Sequence, residues 1–152
     1  KTYFAIVEGQ VKIPEAEISL PIRRNMARPT TFKVDAKGRE AETYYRVVAE
    51  GEEYSLVELK PRTGRTHQLR IHMKYIGNPI VGDPIYGEAD KKTAEIKTRM
   101  MLHARELEIT VPTGGDLGIE GEEAKNERMT FRAEVPAEFR ELMRENGLKY
   151  DF

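Results

Sequence analysis

The chain has 152 residues, a formal net charge of −1, 39% hydrophobic and 34% charged residues, and no cysteine. That size fits one domain with a sizeable core. The composition excludes a disordered chain, a disulfide framework and thiolate chemistry, and no apolar run approaches the roughly 18 residues of a membrane-crossing helix.

In chain order, Tyr3, Ala5 and Val7 alternate with Phe4 and Ile6. Both faces are apolar, which predicts a buried strand. A short strand over residues 18–22 meets Pro21, which stops it or confines it to an edge. Arg23-Arg24-Asn25-Met26-Ala27-Arg28-Pro29 reads as a basic loop. Residues 43–49 and 54–59 form a predicted hairpin through Glu50-Gly51-Glu52-Glu53.

Thr63-Gly64-Arg65-Thr66 then reads as a tight turn into a helix. Gly64 can take a positive φ there, and Thr66 is the predicted N-cap. The helix is expected over residues 67–76, with Gly77 at its end. At ~100° per residue Leu69, Met73 and Ile76 share one face, and His67, Arg70 and Lys74 fall within roughly a 60° arc of another. The helix therefore packs with one side and offers cations with the other. Asn78-Pro79 and Gly82-Asp83-Pro84 bracket a short apolar segment, Ile80-Val81, and Asp83 is predicted to shape an Asx-type turn.

Residues 88–98 are polar and read as a loop or a short exposed helix. Residues 101–111 read as a strand whose apolar phase changes. Leu102 and Ala104 sit at even positions; Leu107, Ile109 and Val111 sit at odd ones. One extra residue near Arg105-Glu106 reconciles them, so a bulge is predicted. An acidic, Gly-rich surface loop follows over residues 113–126. Met129, Phe131, Ala133 and Val135 alternate as a half-buried strand. Pro136 opens a last helix at its first position, with Phe139, Leu142 and Met143 inward and Gly147 as its stop. Strands outnumber helices and most connections look like hairpins, so the predicted class is α+β with a predominantly antiparallel sheet flanked by helices.

TGRTHQLRIHM followed by GNPIVGDPIYG resembles a signature block of the RluA-type RNA pseudouridine synthases. The segment Met101-Leu102-His103-Ala104-Arg105-Glu106-Leu107 is similar to that family's LHA segment. Lys1-Thr2-Tyr3-Phe4-Ala5-Ile6-Val7-Glu8-Gly9 resembles its K-x-Y strand, and Gly38-Arg39-Glu40-Ala41-Glu42-Thr43 its approach to a central strand. The blocks come in the family's order and cover nearly the whole chain. The resemblance implies a central sheet flanked by helices and the isomerisation of uridine to pseudouridine in rRNA or tRNA. It implies an aspartate at the centre of the chemistry, with no cofactor and no metal. The family's aspartate sits in an H-R-L-D motif upstream of the K-x-Y block, and the chain contains no Arg-Leu-Asp. The expectation is that residues 1–152 form the C-terminal portion of a catalytic domain, inactive alone. Arg70 would then lack its partner, and uncovered Phe4 and Ile6 would favour self-association.

Through the resemblance, Tyr3 and Arg70 are the candidate catalytic residues. Tyr3 would stack on an extruded base and act in proton transfer; Arg70 would hold the catalytic carboxylate ionised. Arg62, Arg65, His67, Gln68 and Lys74 are the candidate RNA contacts. Between Arg62 and Lys74 the chain carries cations and no acid, so a local basic face can hold phosphate on a near-neutral protein. His67 and His72 diverge by roughly 140° on a helix, so a metal site is not expected. The chain is expected in the cytoplasm, without a membrane partner. The alternative is a non-catalytic RNA-binding module of the same fold, or beyond it a scaffold that keeps the fold alone. Salt-dependent RNA binding separates the first two from the third.

Overall fold

The computed structural model describes residues 1–87, 99–113 and 125–152. Its strands are β1 (Thr2–Glu8), β2 (Glu15–Ser19), β3 (Ile22–Arg24), β4 (Phe32–Val34), β5 (Glu42–Glu50), β6 (Tyr54–Pro61), β7 (Leu102–Thr113) and β8 (Lys125–Arg132). Its helices are α1 (Gln68–Tyr75) and α2 (Ala137–Glu145). A six-stranded sheet runs β2-β5-β6-β1-β7-β8, and β3 pairs with β4 in a separate hairpin. Every pairing between these strands is antiparallel, as the class expectation held.

β1 is central because both its faces are apolar. Ala5 and Val7 meet Val57 and Leu59 of β6 and Leu69 and Met73 of α1. Phe4 and Ile6 meet Leu56 of β6 and Phe139, Leu142 and Met143 of α2 on the other side. The period of two along β1 thus separates a layer under α1 from a layer under α2. Phe4 is 4% and Ile6 0% exposed. The expected uncovering of these two residues is therefore not found, and it gives no reason for self-association.

β7 carries the predicted bulge. Tyr3 lies opposite Ala104 and Thr2 opposite Glu106, which leaves Arg105 as the extra residue. The predicted 18–22 strand is instead two elements, since β2 ends at Ser19 and β3 starts at Ile22. Pro21 between them has no N–H to extend a ladder. The basic loop is the tip of the β3–β4 hairpin, which seats Ile22, Phe32 and Val34 against Ile71 of α1 and Tyr86. The last strand is not half-buried as its alternation predicted. It is an edge strand ending at Arg132, with Met129 39% and Phe131 47% exposed. Pro136 caps α2 rather than occupying its first turn, and Gly147 closes that helix with φ 66°. The expectation for residues 88–98, and most of the acidic 113–126 loop, lie outside the described residues.

Candidate active site and nucleic-acid interface

α1 starts where β6 ends. β6 leaves the sheet at Pro61, paired with Thr43 of β5. Tyr3 pairs with Leu59 near the same end and packs with the cluster under α1. One face of the sheet, at one end, thus carries both Tyr3 and the turn into α1.

That turn differs from its sequence reading. Thr66 is not the cap, and Gly64 is not among the residues with positive φ. His67 is the N-cap, in the left-handed region at φ 56° and ψ 22°. Such a conformation costs a non-glycine residue about 1 kcal/mol or more and persists only where the surroundings fix it. Here Nδ1 of His67 lies 2.8 Å from the Tyr86 hydroxyl, which accepts the Phe32 backbone N–H at 3.0 Å. The His67 ring also meets the Tyr86 and Phe32 rings edge-on. Burial, with the nearby Arg70 charge, pushes the His67 pKa down against the pull of Asp83. The shift favours the uncharged ring, and His67 pins the α1 start to the β3–β4 hairpin.

Gln68 is buried, at 4% exposure. Its carbonyl accepts the Thr63 hydroxyl at 2.7 Å and the Arg65 N–H at 3.0 Å; its amide donates to the Glu42 carbonyl and the Thr43 hydroxyl. His72 continues this network. It lies 2.8 Å from the Thr43 hydroxyl through Nδ1 and 2.9 Å from the Leu20 carbonyl through Nε2. The Leu20 carbonyl can only accept, so Nε2 carries the proton and Nδ1 accepts from Thr43. Burial keeps the His72 pKa below its ordinary value despite the Leu20 bond.

Arg70 does not lack a carboxylate. Its Nε and one terminal nitrogen donate to Asp83 at 2.9 and 2.7 Å. The guanidinium also lies 5.0 Å from the centre of the Tyr86 ring. The Arg70 side chain is 12% and that of Asp83 0% exposed. Asp83 accepts the N–H groups of Ile85 and Tyr86 too, both at 3.0 Å, which is the predicted Asx-type turn. Burial is the largest single influence on Asp83 and raises its pKa. The Arg70 hydrogen bonds, the two amides and the Arg70 charge together outweigh it and hold the carboxyl below its usual range. Gly87 closes the turn, and a Cβ there would sit 2.3 Å from the Asp83 carbonyl oxygen.

Of the remaining candidates Arg65 is half-buried, and Arg62 and Lys74 are exposed. Arg65 donates through Nε to the Glu40 carbonyl at 2.7 Å, and among the described residues its terminal nitrogens have no hydrogen-bond partner. Arg62 is exposed and lies 3.3 Å from Glu17. Lys74 is exposed on the outer side of α1 and makes no ion pair among the described residues. Sequence reasoning missed Tyr86 and the clamp role of Asp83, although their spacing in GDPIYG was visible. No group of three or more His, Cys, Asp or Glu that could hold a metal gathers among the described residues.

Residues 1–75 match the family described as RNA pseudouridylate synthase. The chain is 40% identical over 140 residues to the ribosomal large subunit pseudouridine synthase D of Borreliella burgdorferi, covering 91% of this chain and 39% of that protein. It is 42% identical over 108 residues to the dual-specificity RNA pseudouridine synthase RluA of Vibrio cholerae, covering 70% and 43%. Among solved structures, human RNA pseudouridylate synthase domain containing 1 superposes with a TM-score of 0.63 at 26% identity, over 97% of this chain and 65% of that one. Human RNA pseudouridylate synthase domain containing 4 gives 0.71 at 22% identity over 99% and 63%, a likeness of fold. The chain spans about two fifths of the length of the curated relatives it matches.

Proposed function

The chain belongs to the RluA-type RNA pseudouridine synthase family, and we propose that it serves the isomerisation of uridine to pseudouridine in RNA, with the end of the sheet that carries Tyr3 turned to the substrate. In that reaction the bond from ribose C1′ to uracil N1 breaks, the base turns, C1′ bonds to C5, and the C5 proton ends on N1. Atoms balance with no co-reactant.

The observation that supports this reading is the shared placement of Tyr3 and the turn into α1 at one end of one sheet face. An aromatic ring there offers a stacking surface to a base taken out of its helix. We assign Tyr3 to the base, and to proton transfer through its hydroxyl. Arg65, whose terminal nitrogens have no hydrogen-bond partner among the described residues, and exposed Arg62 and Lys74 are assigned to phosphate. Arg70, His67 and Gln68 act differently. They are positioning residues, which hold the α1 start and the Asp83 turn so that the cations keep their places. The substrate class we propose is rRNA or tRNA in the cytoplasm. We assign self-association to the exposed Ile109, Met129 and Phe131 of β7 and β8.

Cross-linking tests the face. RNA carrying 4-thiouridine, irradiated with the protein and mapped by peptide mass spectrometry, should label peptides containing Tyr3 and Arg65. Labelling confined to α2 contradicts the assignment. The alternative, an RNA-binding module without chemistry, draws on the absence of Arg-Leu-Asp from the chain. It predicts the same cross-links and no pseudouridine.

A further inference from the structure

We propose that the groove between the β3–β4 hairpin and the outer side of α1 binds one nucleotide of single-stranded RNA, apart from the Tyr3 site. This rests on the reading of the chain as RNA-directed, and adds a place and a chemistry to it.

The groove encloses about 350 Å³, the size of a small-molecule pocket. Its cations are Arg28 and Lys33 of the hairpin and Lys74 of α1, and among the described residues its lining contains no acidic residue. Among the described residues, Lys33 alone of the three has a carboxylate in ion-pair reach, Asp35 at 3.8 Å, which does not line the groove. Three cations, two from the hairpin and one from α1, repel one another across the groove. An anion between them removes that repulsion, and a phosphate accepts hydrogen bonds from all three.

The rest of the lining is suited to a base. Tyr75 is 61% and Ile85 44% exposed, and Tyr86 forms the floor. An exposed tyrosine beside a cation is the arrangement in which a base stacks while its phosphate is neutralised. The groove is also preformed. Arg24 donates to the Pro29 carbonyl at 2.6 Å, the Thr31 N–H to the Arg28 carbonyl at 2.8 Å, and the Phe32 N–H to the Tyr86 hydroxyl. Hairpin and helix are thus tied before any ligand arrives, so binding costs little ordering.

The probe is a fluorescein-labelled oligouridylate, titrated by anisotropy at several salt concentrations. The unaltered chain should bind with affinity that falls as salt rises. For single strands each phosphate-bound cation contributes ~0.7 to the slope of log affinity on log salt. Arg28→Ala with Lys33→Ala should therefore lower the slope by about 1.4. Tyr75→Ala should weaken binding at least about fivefold with the slope kept, and Tyr75→Phe should restore it. All these side chains are exposed, and unchanged circular dichroism confirms folding. Lys149→Ala, on the α2 side, should change neither affinity nor slope.

If RNA binding persists unchanged in the groove variants, the groove proposal falls while the RNA reading stands. Polyglutamate displacing the RNA at matched charge concentration would also overturn it, by making the groove a site for acidic peptides. If the unaltered chain binds no RNA, the reading and the groove fall together.

Discussion

Arg70 and Asp83 form a bidentate ion pair, with Nε and a terminal nitrogen of the arginine 2.9 and 2.7 Å from the two carboxylate oxygens. The pair ties the middle of α1 to the turn that follows it, and closes that turn against the helix through Tyr86. A guanidinium so engaged shapes the site by holding other residues. Under the proposed function it would act on RNA only through the segments it fixes.

The pair is buried, so breaking it leaves an uncompensated charge. Asp83→Ala and Arg70→Ala should each destabilise the fold by about 3–5 kcal/mol, read as a lower midpoint in urea. The joint replacement Arg70→Met with Asp83→Leu should recover part of that loss. Acid adds a second readout. Asp83 has a depressed pKa in the folded state, so its contribution is complete above an unfolded value of about 3.9 and is lost as pH falls through the folded one. Asp83→Asn should flatten that acid limb.

His72 governs a different window. Burial depresses its folded pKa, so below about pH 6.5 the unfolded chain takes up a proton that the folded one refuses. Stability should fall as pH drops from there, by up to about 1.4 kcal/mol per pH unit for such a group. His67, also depressed, adds to the same slope. His72→Gln should be less stable at every pH but lose part of the slope. An unchanged slope would show that His72 is protonated in the fold.

Gln68 and Arg65 lie close in sequence and should behave oppositely. Gln68 is buried with its amide satisfied, so Gln68→Ala leaves several buried partners unpaired, at about 1–3 kcal/mol for each group stranded. Thermal denaturation should register it strongly. Arg65→Ala should hardly move the melting temperature. It should weaken oligouridylate binding and lower its salt slope by ~0.7.

The 152 residues alone should form no pseudouridine. The sequence has no Arg-Leu-Asp, and its buried Asp83 is closed off from any substrate at 0% side-chain exposure. Incubation with unmodified transcripts and a chemical assay for pseudouridine checks this; turnover would place the catalytic carboxylate within the chain.

Much of this was legible in the sequence. The two apolar phases of β1 named a buried strand, which the sheet order places centrally. The phase change in β7 located a bulge that the register places at Arg105. Gly77 and Gly147, both at positive φ, ended their helices where expected. The misses share a cause, since each was decided by a partner distant in sequence. Local rules made Thr66 a cap, but the Tyr86 hydroxyl and the buried Gln68 side chain favoured His67 in the left-handed region. Alternation made the last strand half-buried, but its edge position leaves Phe131 exposed among the described residues. Helical spacing put Arg70 on an open polar face, and only the return of the chain through Asp83 covered it.

The central claim is that this chain serves uridine isomerisation through the face carrying Tyr3. The most direct measurement disrupts its gene in the organism of origin and maps pseudouridine across total RNA by carbodiimide adducts. One or more specific pseudouridines should disappear, return with the intact gene, and stay absent with Tyr3→Phe expressed at the same level. A pseudouridine map unchanged by the disruption would contradict the account.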